Sequence, residues 1–142
     1  MLVVISVIIL ISVVTVPLIT PFLKAQRISK GARIIQASAL AARTMAINSR
    51  ETRQLVFDST YSKLSITDEN SNVLEKEDYL PGTIEFGTST GIWTAGTSTV
   101  SFNPNGSADT STLGTDTVVI QDKQGNTKRL TIIDYTGQIK SD

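Results

Sequence analysis

The sequence predicts an α+β protein in which one long N-terminal helix packs on a C-terminal antiparallel β domain. Residues 24–50 are rich in alanine and follow helical spacing, whereas residues 51–142 contain pairs of apolar residues two positions apart. Glycine and proline clusters separate these pairs and are typical of turns. The change of period near residue 51 therefore marks the end of the helix and the start of the sheets.

Charge divides the 142 residues into three zones, which we interpret as three environments. Residues 1–23 carry no charge. Residues 24–50 carry six basic side chains and no acidic one. Residues 51–142 carry seven basic and 13 acidic side chains, a net charge of −6. We therefore predict a hydrophobic helix over 1–23, a basic stem helix over 24–50 and a β-rich globular domain over 51–142.

The first segment is long enough to cross a membrane. It has 17 apolar residues among 23, and as a helix it would be about 35 Å long, against a bilayer core of about 30 Å. A cleaved secretory signal would need a basic start and a small-residue exit, which the segment lacks. A buried core helix is the other alternative, but 23 uncharged residues are too many for so small a domain. We expect a single transmembrane helix.

Two prolines, Pro17 and Pro21, lie inside this segment. Each removes a backbone donor and crowds the preceding turn, so the helix should kink or loosen there. Two interpretations remain open: the helix ends near Pro17, or it continues as a bendable rod.

The basic stem has one predicted packing face and one weak point. Gly31 is the residue that lowers its helix propensity. The residues near helical spacing that we expect to pack on the domain are Ile34, Ala37, Leu40, Ala41, Thr44 and Ile47. The cations would face water or anionic lipid headgroups. A nucleic-acid interpretation is disfavoured because no aromatic residues interleave with them.

Six pairs of apolar residues, each two positions apart, predict strands that bury one face, and we expect six or seven strands in all. The pairs are Leu55 and Phe57, Leu64 and Ile66, Ile84 and Phe86, Val100 and Phe102, Val118 and Ile120, and Leu130 and Ile132. A β-hairpin closed by a turn at Gly125 is expected from Asp116 to Asp134. The run from Gly87 to Thr99 reads as a surface loop or edge strand, with Trp93 at the rim of the core.

The composition argues against an enzyme. There is no histidine and no cysteine, which removes the commonest general base and the thiol nucleophile. Neither a G-x-S-x-G elbow nor a Walker-type phosphate loop is present. We assign no catalytic residue, cofactor, metal or small-molecule substrate. Calcium near Asp109, Asp116 and Asp122 is disfavoured by their spacing, and the acidic residues Glu75, Glu77 and Asp78 are interpreted as a solvated loop.

Four segments resemble the type IV pilin-like superfamily, and three of them its GspH/FimT group. The run LVVISVIILISVVTVPLI resembles the shared N-terminal helix, with Pro17 at the family's proline. ALAARTMAINSRETRQLVFD resembles the passage from helix to first strand, VSFNPNGSAD the "F-x-P-x-G" segment, and RLTIIDYTGQIK the closing strand. The resemblance spans most of the chain.

The resemblance implies a structural minor pseudopilin of a type II secretion system, anchored in the inner membrane and assembled with other pilins or pseudopilins by helix bundling. It implies that the following residues form the membrane and filament helix: Leu2, Val3, Val4, Ile5, Val7, Ile8, Ile9, Leu10, Pro17 and Pro21. The stem cations alone would place the domain in the cytoplasm. The family's basic leader and its Glu are expected upstream of Met1, which places the β domain in the periplasm.

Two alternatives remain. The first is a FimT-like minor type IV pilin that takes part in pilus assembly or DNA uptake. Relatives that bind DNA end in Gly-Arg-x-Arg, where this chain has Gly137, Gln138, Ile139 and Lys140. Lys128, Arg129 and Lys140 are the candidates for a weak DNA contact, which the acidic domain disfavours. The second alternative is a signal-anchored β domain of unrelated binding function.

Overall fold

The computed structural model describes residues 2–75, 77–88, 91–92 and 96–141. Within them the chain forms one helix, α1, Leu2–Ser49, followed by ten strands. The strands are β1 Arg53–Asp58, β2 Lys63–Thr67, β3 Asp78–Tyr79, β4 Ile84–Thr88, β5 Gly91–Ile92, β6 Thr97–Phe102, β7 Ala108–Asp109, β8 Thr117–Asp122, β9 Thr127–Ile133 and β10 Gln138–Ser141. The predicted α+β class is confirmed.

The strands form two antiparallel sheets of five. Sheet 1 has the order β3-β2-β1-β6-β7, and sheet 2 has the order β10-β9-β8-β4-β5. In sheet 1, Leu55 lies opposite Ile66 on one side and Val100 on the other. In sheet 2, β8 and β9 form the predicted hairpin, with Val118 opposite Leu130. The run from Gly87 to Thr99, predicted as a surface loop or edge strand, contains the edge strand β5. Its last residues begin β6, which lies between β1 and β7, while Trp93 lies outside the described residues.

All six apolar pairs predicted to mark strands do so, and their side chains form the core. None of the twelve is more than 4% exposed. The two sheets meet face to face at Phe57 of β1 and Phe86 of β4, whose rings pack edge to face with centroids 5.6 Å apart. The core therefore lies between the sheets, and α1 covers it along one side.

Helix α1 runs through both prolines without a break. Its 48 residues correspond to about 72 Å at 1.5 Å per residue. The interpretation that the helix ends near Pro17 is therefore wrong, and the interpretation of a continuous rod is correct for the backbone. The side chains of residues 13–21 lie outside the described part of the chain.

The packing face predicted for the stem is wrong for four of its six residues, whereas Ile34 and Ala41 are half-buried and pack against the core as predicted. Ala37, Leu40, Thr44 and Ile47 are exposed, and Leu40 keeps 60% of its surface. The buried stem residues are mostly small: Ile28, Gly31, Ala32, Ile35, Ser38, Ala39, Ala42 and Ala46. Small side chains are favoured on this face because the helix lies against both sheets at once, and larger side chains would hold it away from the core.

Gly31 is a point of close approach rather than a break. A Cβ atom placed there would lie 3.4 Å from both Ile84 and Ile120 of sheet 2. This is ordinary van der Waals contact, so the position has room for a methyl group but not for a longer side chain. The glycine that weakens the helix in isolation therefore lies where the helix packs directly against Ile84 and Ile120 of sheet 2.

Side chains of the acidic segment hold the edge of sheet 1. Glu77 forms a salt bridge of 2.7 Å with Lys63 and accepts a hydrogen bond from the hydroxyl of Tyr79. Ser38 of the stem donates to Asp78 over 3.0 Å. The interpretation of this segment as a solvated loop is incomplete, because Glu77 and Asp78 tie β3 to β2 and to α1, although Asp78 itself is exposed.

Two loops repeat one turn geometry, and an aspartate organises each. Asp68 accepts hydrogen bonds from the backbone N–H groups of Asn70 and Asn72 and from the Asn72 side chain. Asp122 accepts the equivalent bonds from Gln124 and Asn126. The residue before Asn126 is Gly125, with a φ of 84°, and the residue before Asn72 is Ser71, with a φ of 65°.

Exchanging the residue types at these two equivalent positions should change stability in opposite directions. Ser71→Gly should raise the free energy of unfolding by about 0.5–1 kcal/mol, because glycine adopts positive φ without steric cost. Gly125→Ser should lower it by a similar amount. Denaturant titration of the full chain in detergent measures both changes. A loss of stability in Ser71→Gly would contradict the equivalence of the loops.

The Asp122 turn should also make stability depend on pH. The Asn126 side-chain amide lowers the pKa of Asp122 below its ordinary value of 3.8, although burial opposes the shift. The backbone N–H groups of Asn126 and Gln124 and the charge of Lys24 lower it further. Between the folded and unfolded pKa values of Asp122 the unfolded chain therefore binds more protons than the folded chain. The resulting stabilisation of the fold is present above pH 3.8 and is lost as the pH falls through the folded pKa.

We therefore expect Asp122→Asn to be less stable than the parent chain at about pH 7. This difference in stability should close at acidic pH, where the parent carboxylate is protonated and therefore uncharged like the asparagine side chain. Thermal unfolding of both proteins across this range checks the effect. A gap that stays constant down to strongly acidic pH would show that the charge of Asp122 does not contribute.

Candidate functional site

The N-terminal part of α1 protrudes into the solvent over the residues whose side chains are described. Residues 3–12 are all exposed, on every side of the helix. Exposed fractions range from 50% at Val7 to 76% at Val3. The site residues predicted between Val3 and Leu10 therefore lie together on one protruding rod. The side chains of Leu2, Pro17 and Pro21 lie outside the described residues.

The hydropathy of the described residues gives a separate finding. No helix, as far as its side chains are described, is at once long and apolar enough to cross a bilayer. The predicted span, residues 1–23, includes Met1 and residues 13–21, which fall outside that description.

The second half of α1 has two faces with different roles. One face is buried against both sheets from Ile28 to Ala46. The opposite face is exposed and carries the stem cations Arg27, Lys30 and Arg33. The exposed positions between residues 30 and 47 are Lys30, Arg33, Ala37, Leu40, Thr44 and Ile47. We call this set the outer stripe. Its alternating spacing of three and four places all six residues on one side of the helix.

Three segments distant in sequence meet beside the outer stripe. Arg43 of α1 donates a hydrogen bond of 3.0 Å from Nε to the carbonyl oxygen of Gly106, in the loop after β6. Gly137, in the turn after β9, lies against the same carbonyl. The three segments are those that carry the family resemblance: the Ala-Arg stretch, the F-x-P-x-G loop and the T-G turn. We call this the Arg43 junction.

Glycine is required at Gly137 for two separate reasons. Its φ is +61°, a conformation that side chains with a Cβ rarely adopt. A Cβ there would also lie 2.5 Å from the backbone oxygen of Gly106 and 3.3 Å from the ring of Phe102. Neither neighbour can move away without shifting the loop after β6. The chain therefore reaches this turn only with glycine at the contact.

Strand β10 is the edge of sheet 2 and lies beside the stem. The side-chain amide of Gln36 donates to the carbonyl oxygen of Ile139 over 3.2 Å. A groove opens between helix and strand, lined by Gln36, Ala39, Leu40, Arg43, Gly137, Gln138 and Ile139. The stem thus covers part of an edge that would otherwise present unpaired backbone groups.

The cations proposed for a DNA contact are only partly brought together. Arg129 and Lys140 lie on the same face of sheet 2, because Lys140 pairs with Thr131, two residues beyond Arg129. Lys128 lies on the opposite face, in register with the buried Leu130 and Ile132. Two cations on one face form a smaller phosphate-binding surface than three would.

The acidic residues considered for calcium serve their own loops. Asp109 accepts a hydrogen bond from the backbone N–H of Ser111, and Asp116 accepts one from the hydroxyl of Thr117. Among the residues described, no group of three acidic side chains is arranged to hold a metal ion.

Sequence reasoning located the segments of the junction but missed its central residue. Arg43 was interpreted as a solvent-facing cation, whereas it is half-buried and binds a backbone carbonyl. One signal points to it: Arg43 follows Ala42, which is fully buried, so it must lie at the margin of the packed face. The partner, Gly106, is 63 residues away and is not visible in local spacing.

Comparison with known proteins gives one family match and several structural neighbours. The sequence profile of the family described as "Type II transport protein GspH" matches residues 31–136, most of the chain. No curated protein matches the chain by sequence. Solved structures do match, and they include both a pilin and a pseudopilin.

The fold is similar to that of the type IV minor pilin FimU of Pseudomonas aeruginosa, with a TM-score of 0.59 and 17% identity. That match covers 86% of this chain and 92% of FimU. It is equally similar to the minor pseudopilin EpsH from the Type 2 Secretion System of Vibrio cholerae, with a TM-score of 0.60 and 12% identity. That match covers 82% of this chain and 96% of EpsH. At these identities the likeness establishes the fold, which is pilin-like as predicted.

The junction can be tested by comparing two glycines. Gly137→Ala should cost about 3 kcal/mol or more of stability, because strain at positive φ adds to a backbone clash. Gly125→Ala should cost only about 1 kcal/mol, because its φ is +84° but no heavy atom lies within 4 Å of the new Cβ. Denaturant unfolding of the full chain in detergent measures both. Equal losses would show that the contact with Gly106 does not constrain the fold.

Proposed function

Because the chain belongs to the GspH family, we propose that it is a structural minor pseudopilin of a type II secretion system, which assembles into a periplasmic pseudopilus or its tip. The family and fold are those of structural subunits rather than enzymes. The proposed partners are the inner membrane and other pilins or pseudopilins.

The observation that carries this proposal is that the two halves of α1 have different surroundings. The helix packs on its own β domain from Ile28 to Ala46, while residues 3–12 are apolar except for Ser6 and Ser12 and are exposed on all sides. A helix that is apolar all round needs a partner on every side. Neighbouring apolar helices or lipid can supply one; a single flat contact with a globular protein cannot.

Lipid and neighbouring helices can cover this segment in turn. We propose that residues 1–23 anchor the protein as a single-pass helix in the inner membrane, with the β domain in the periplasm. In the filament, the same surface would pack against the helices of other subunits. Since both environments are apolar, extraction from one to the other exposes little hydrophobic surface to water.

A minor type IV pilin is the second candidate, favoured by the likeness to FimU. The TM-scores for FimU and EpsH, 0.59 and 0.60, do not separate the two systems. DNA uptake is the weaker form of this candidate. Gln138 replaces an arginine of the motif, and Lys128 lies on the other face of the sheet from Arg129 and Lys140.

Deletion of the gene and complementation with variants in the host bacterium test the proposal. We expect deletion to reduce secreted extracellular protein and to leave surface pili unchanged. Ile8→Lys should fail to restore secretion, because a charge within the apolar segment costs up to about 3 kcal/mol in a bilayer. The protein's recovery in the membrane fraction and in sheared filaments should fall with it.

The matched control is Ala25→Lys. It adds the same charge at an exposed position of the same helix, but among the existing stem cations, where headgroups tolerate it. It should restore secretion. Loss of pili with normal secretion after deletion would move the assignment to a type IV pilus. Full function of Ile8→Lys would contradict the role of the apolar segment in both systems.

A further inference from the structure

The outer stripe is a second contact surface on a helix that already has one. Its six residues are exposed, whereas every other residue between 30 and 47 is buried or half-buried. Leu40 is 60% exposed and Ile47 is 41% exposed. Helix α1 therefore presents apolar side chains away from its own domain, over the same length on which it packs inward.

The chemistry of the outer stripe changes along its length. Its N-terminal part carries Lys30 and Arg33, and its C-terminal part carries Leu40 and Ile47. Residues 24–50 contain no acidic side chain, so these cations have no counter-charge on their own helix. A complementary surface must therefore offer carboxylates at one end and apolar groups at the other.

The groove beside β10 repeats this combination. Its lining includes Leu40, Arg43 and Ile139. Arg43 uses Nε to bind Gly106 and makes no other hydrogen bond within the described part of the chain. Its two Nη groups therefore remain as donors for a carboxylate. Arginine is one of the residues enriched at protein interfaces, and the apolar side chains beside it can form the buried part of such a contact.

We propose that the outer stripe and the groove beside β10 form the docking surface for the acidic β-rich domain of a neighbouring filament subunit. This inference rests on the proposed function and adds to it the face of the stem that is used and the chemistry of the partner. The chain's own domain, with a net charge of −6 over residues 51–142, is an example of a domain with such chemistry.

Geometry and charge argue against the other occupants. Lys30 and Ile47 are 17 residues apart, about 26 Å along the helix, so headgroups that contact Lys30 leave the apolar end uncovered. The stem of a second copy would place like charges opposite Lys30 and Arg33, which is unfavourable. DNA would need cations throughout, whereas the upper part of the surface carries Leu40, Ile47 and Ile139.

Site-specific cross-linking in the host tests this directly. The sequence contains no cysteine, so Leu40→Cys gives a single site for a thiol-linked photo-crosslinker in the full chain. The control site is Tyr135→Cys, in the turn after β9, which is 94% exposed and lies off the docking surface. Mass spectrometry of the adducts identifies the attached peptide or lipid.

We expect adducts from Leu40→Cys to map to the β-rich domain of another filament subunit, close to carboxylates, and few adducts from Tyr135→Cys. Adding Lys30→Glu and Arg33→Glu should reduce the Leu40 adduct about tenfold, because like charges then face each other. Adding Lys123→Glu and Arg129→Glu makes the same change in net charge at exposed positions off the stripe, and should leave the yield unchanged.

Adducts with lipid, with DNA or with the stem of a second copy would overturn the proposal, as would the absence of any adduct from Leu40→Cys. A subunit adduct that is insensitive to charge reversal at Lys30 and Arg33 would overturn the acidic character of the partner. Recovery of the parent chain in sheared filaments separates these outcomes from failure of the proposed function: incorporation without a Leu40 contact contradicts the docking surface alone.

Discussion

The close approach of one helix to two sheets is the constraint on which the rest of the structure depends. The sheets meet at Phe57 and Phe86, and α1 completes the core along one side. A face of mostly small side chains lets the helix contact both sheets at once, which explains the buried Gly31, Ala32, Ala39, Ala42 and Ala46. Ile28 and Ile35 are buried on the same face, whereas Leu40 and Ile47 are left exposed on the outside. The inward face and the outer stripe are thus two results of one packing requirement.

The Arg43 junction fixes the other end of this arrangement. A single carbonyl oxygen, that of Gly106, receives the arginine of the helix and lies against the glycine of the last turn. The loop after β6 belongs to sheet 1 and the turn after β9 belongs to sheet 2, so the junction links both sheets to the stem. The backbone N–H of Ala108 also donates to the carbonyl oxygen of Asp134 over 2.7 Å, which adds a direct bond between the sheets. The segments that carry the family resemblance therefore share a structural role, at the point where the three parts of the fold meet.

The six main strands could be predicted from the sequence because each buries one face, and a period of two records this directly. The two-residue strands β3 and β7 could not, because two residues carry no period, and for the run that contains β5 the sequence left a loop and an edge strand open. The prediction of the stem's packing face was largely wrong for a different reason. The exposed and buried faces of the stem have the same helical spacing, and hydrophobicity alone selects Leu40 and Ile47 over Ala39 and Ala42. Which face is buried depends on how near the helix can come to the sheets. The contact of Arg43 with Gly106 joins positions far apart in sequence, and no local pattern encodes it.

The unbroken course of α1 has a mechanical consequence. A pull on the apolar end travels along the helix axis through backbone hydrogen bonds and reaches the β domain at Ile28. From there to Ala46 the helix–sheet interface is loaded in shear, so its contacts resist together instead of peeling apart one after another. A sideways force on the protruding half would instead act as a lever about Ile28. The molecule is thus stiffest against traction along its own stem.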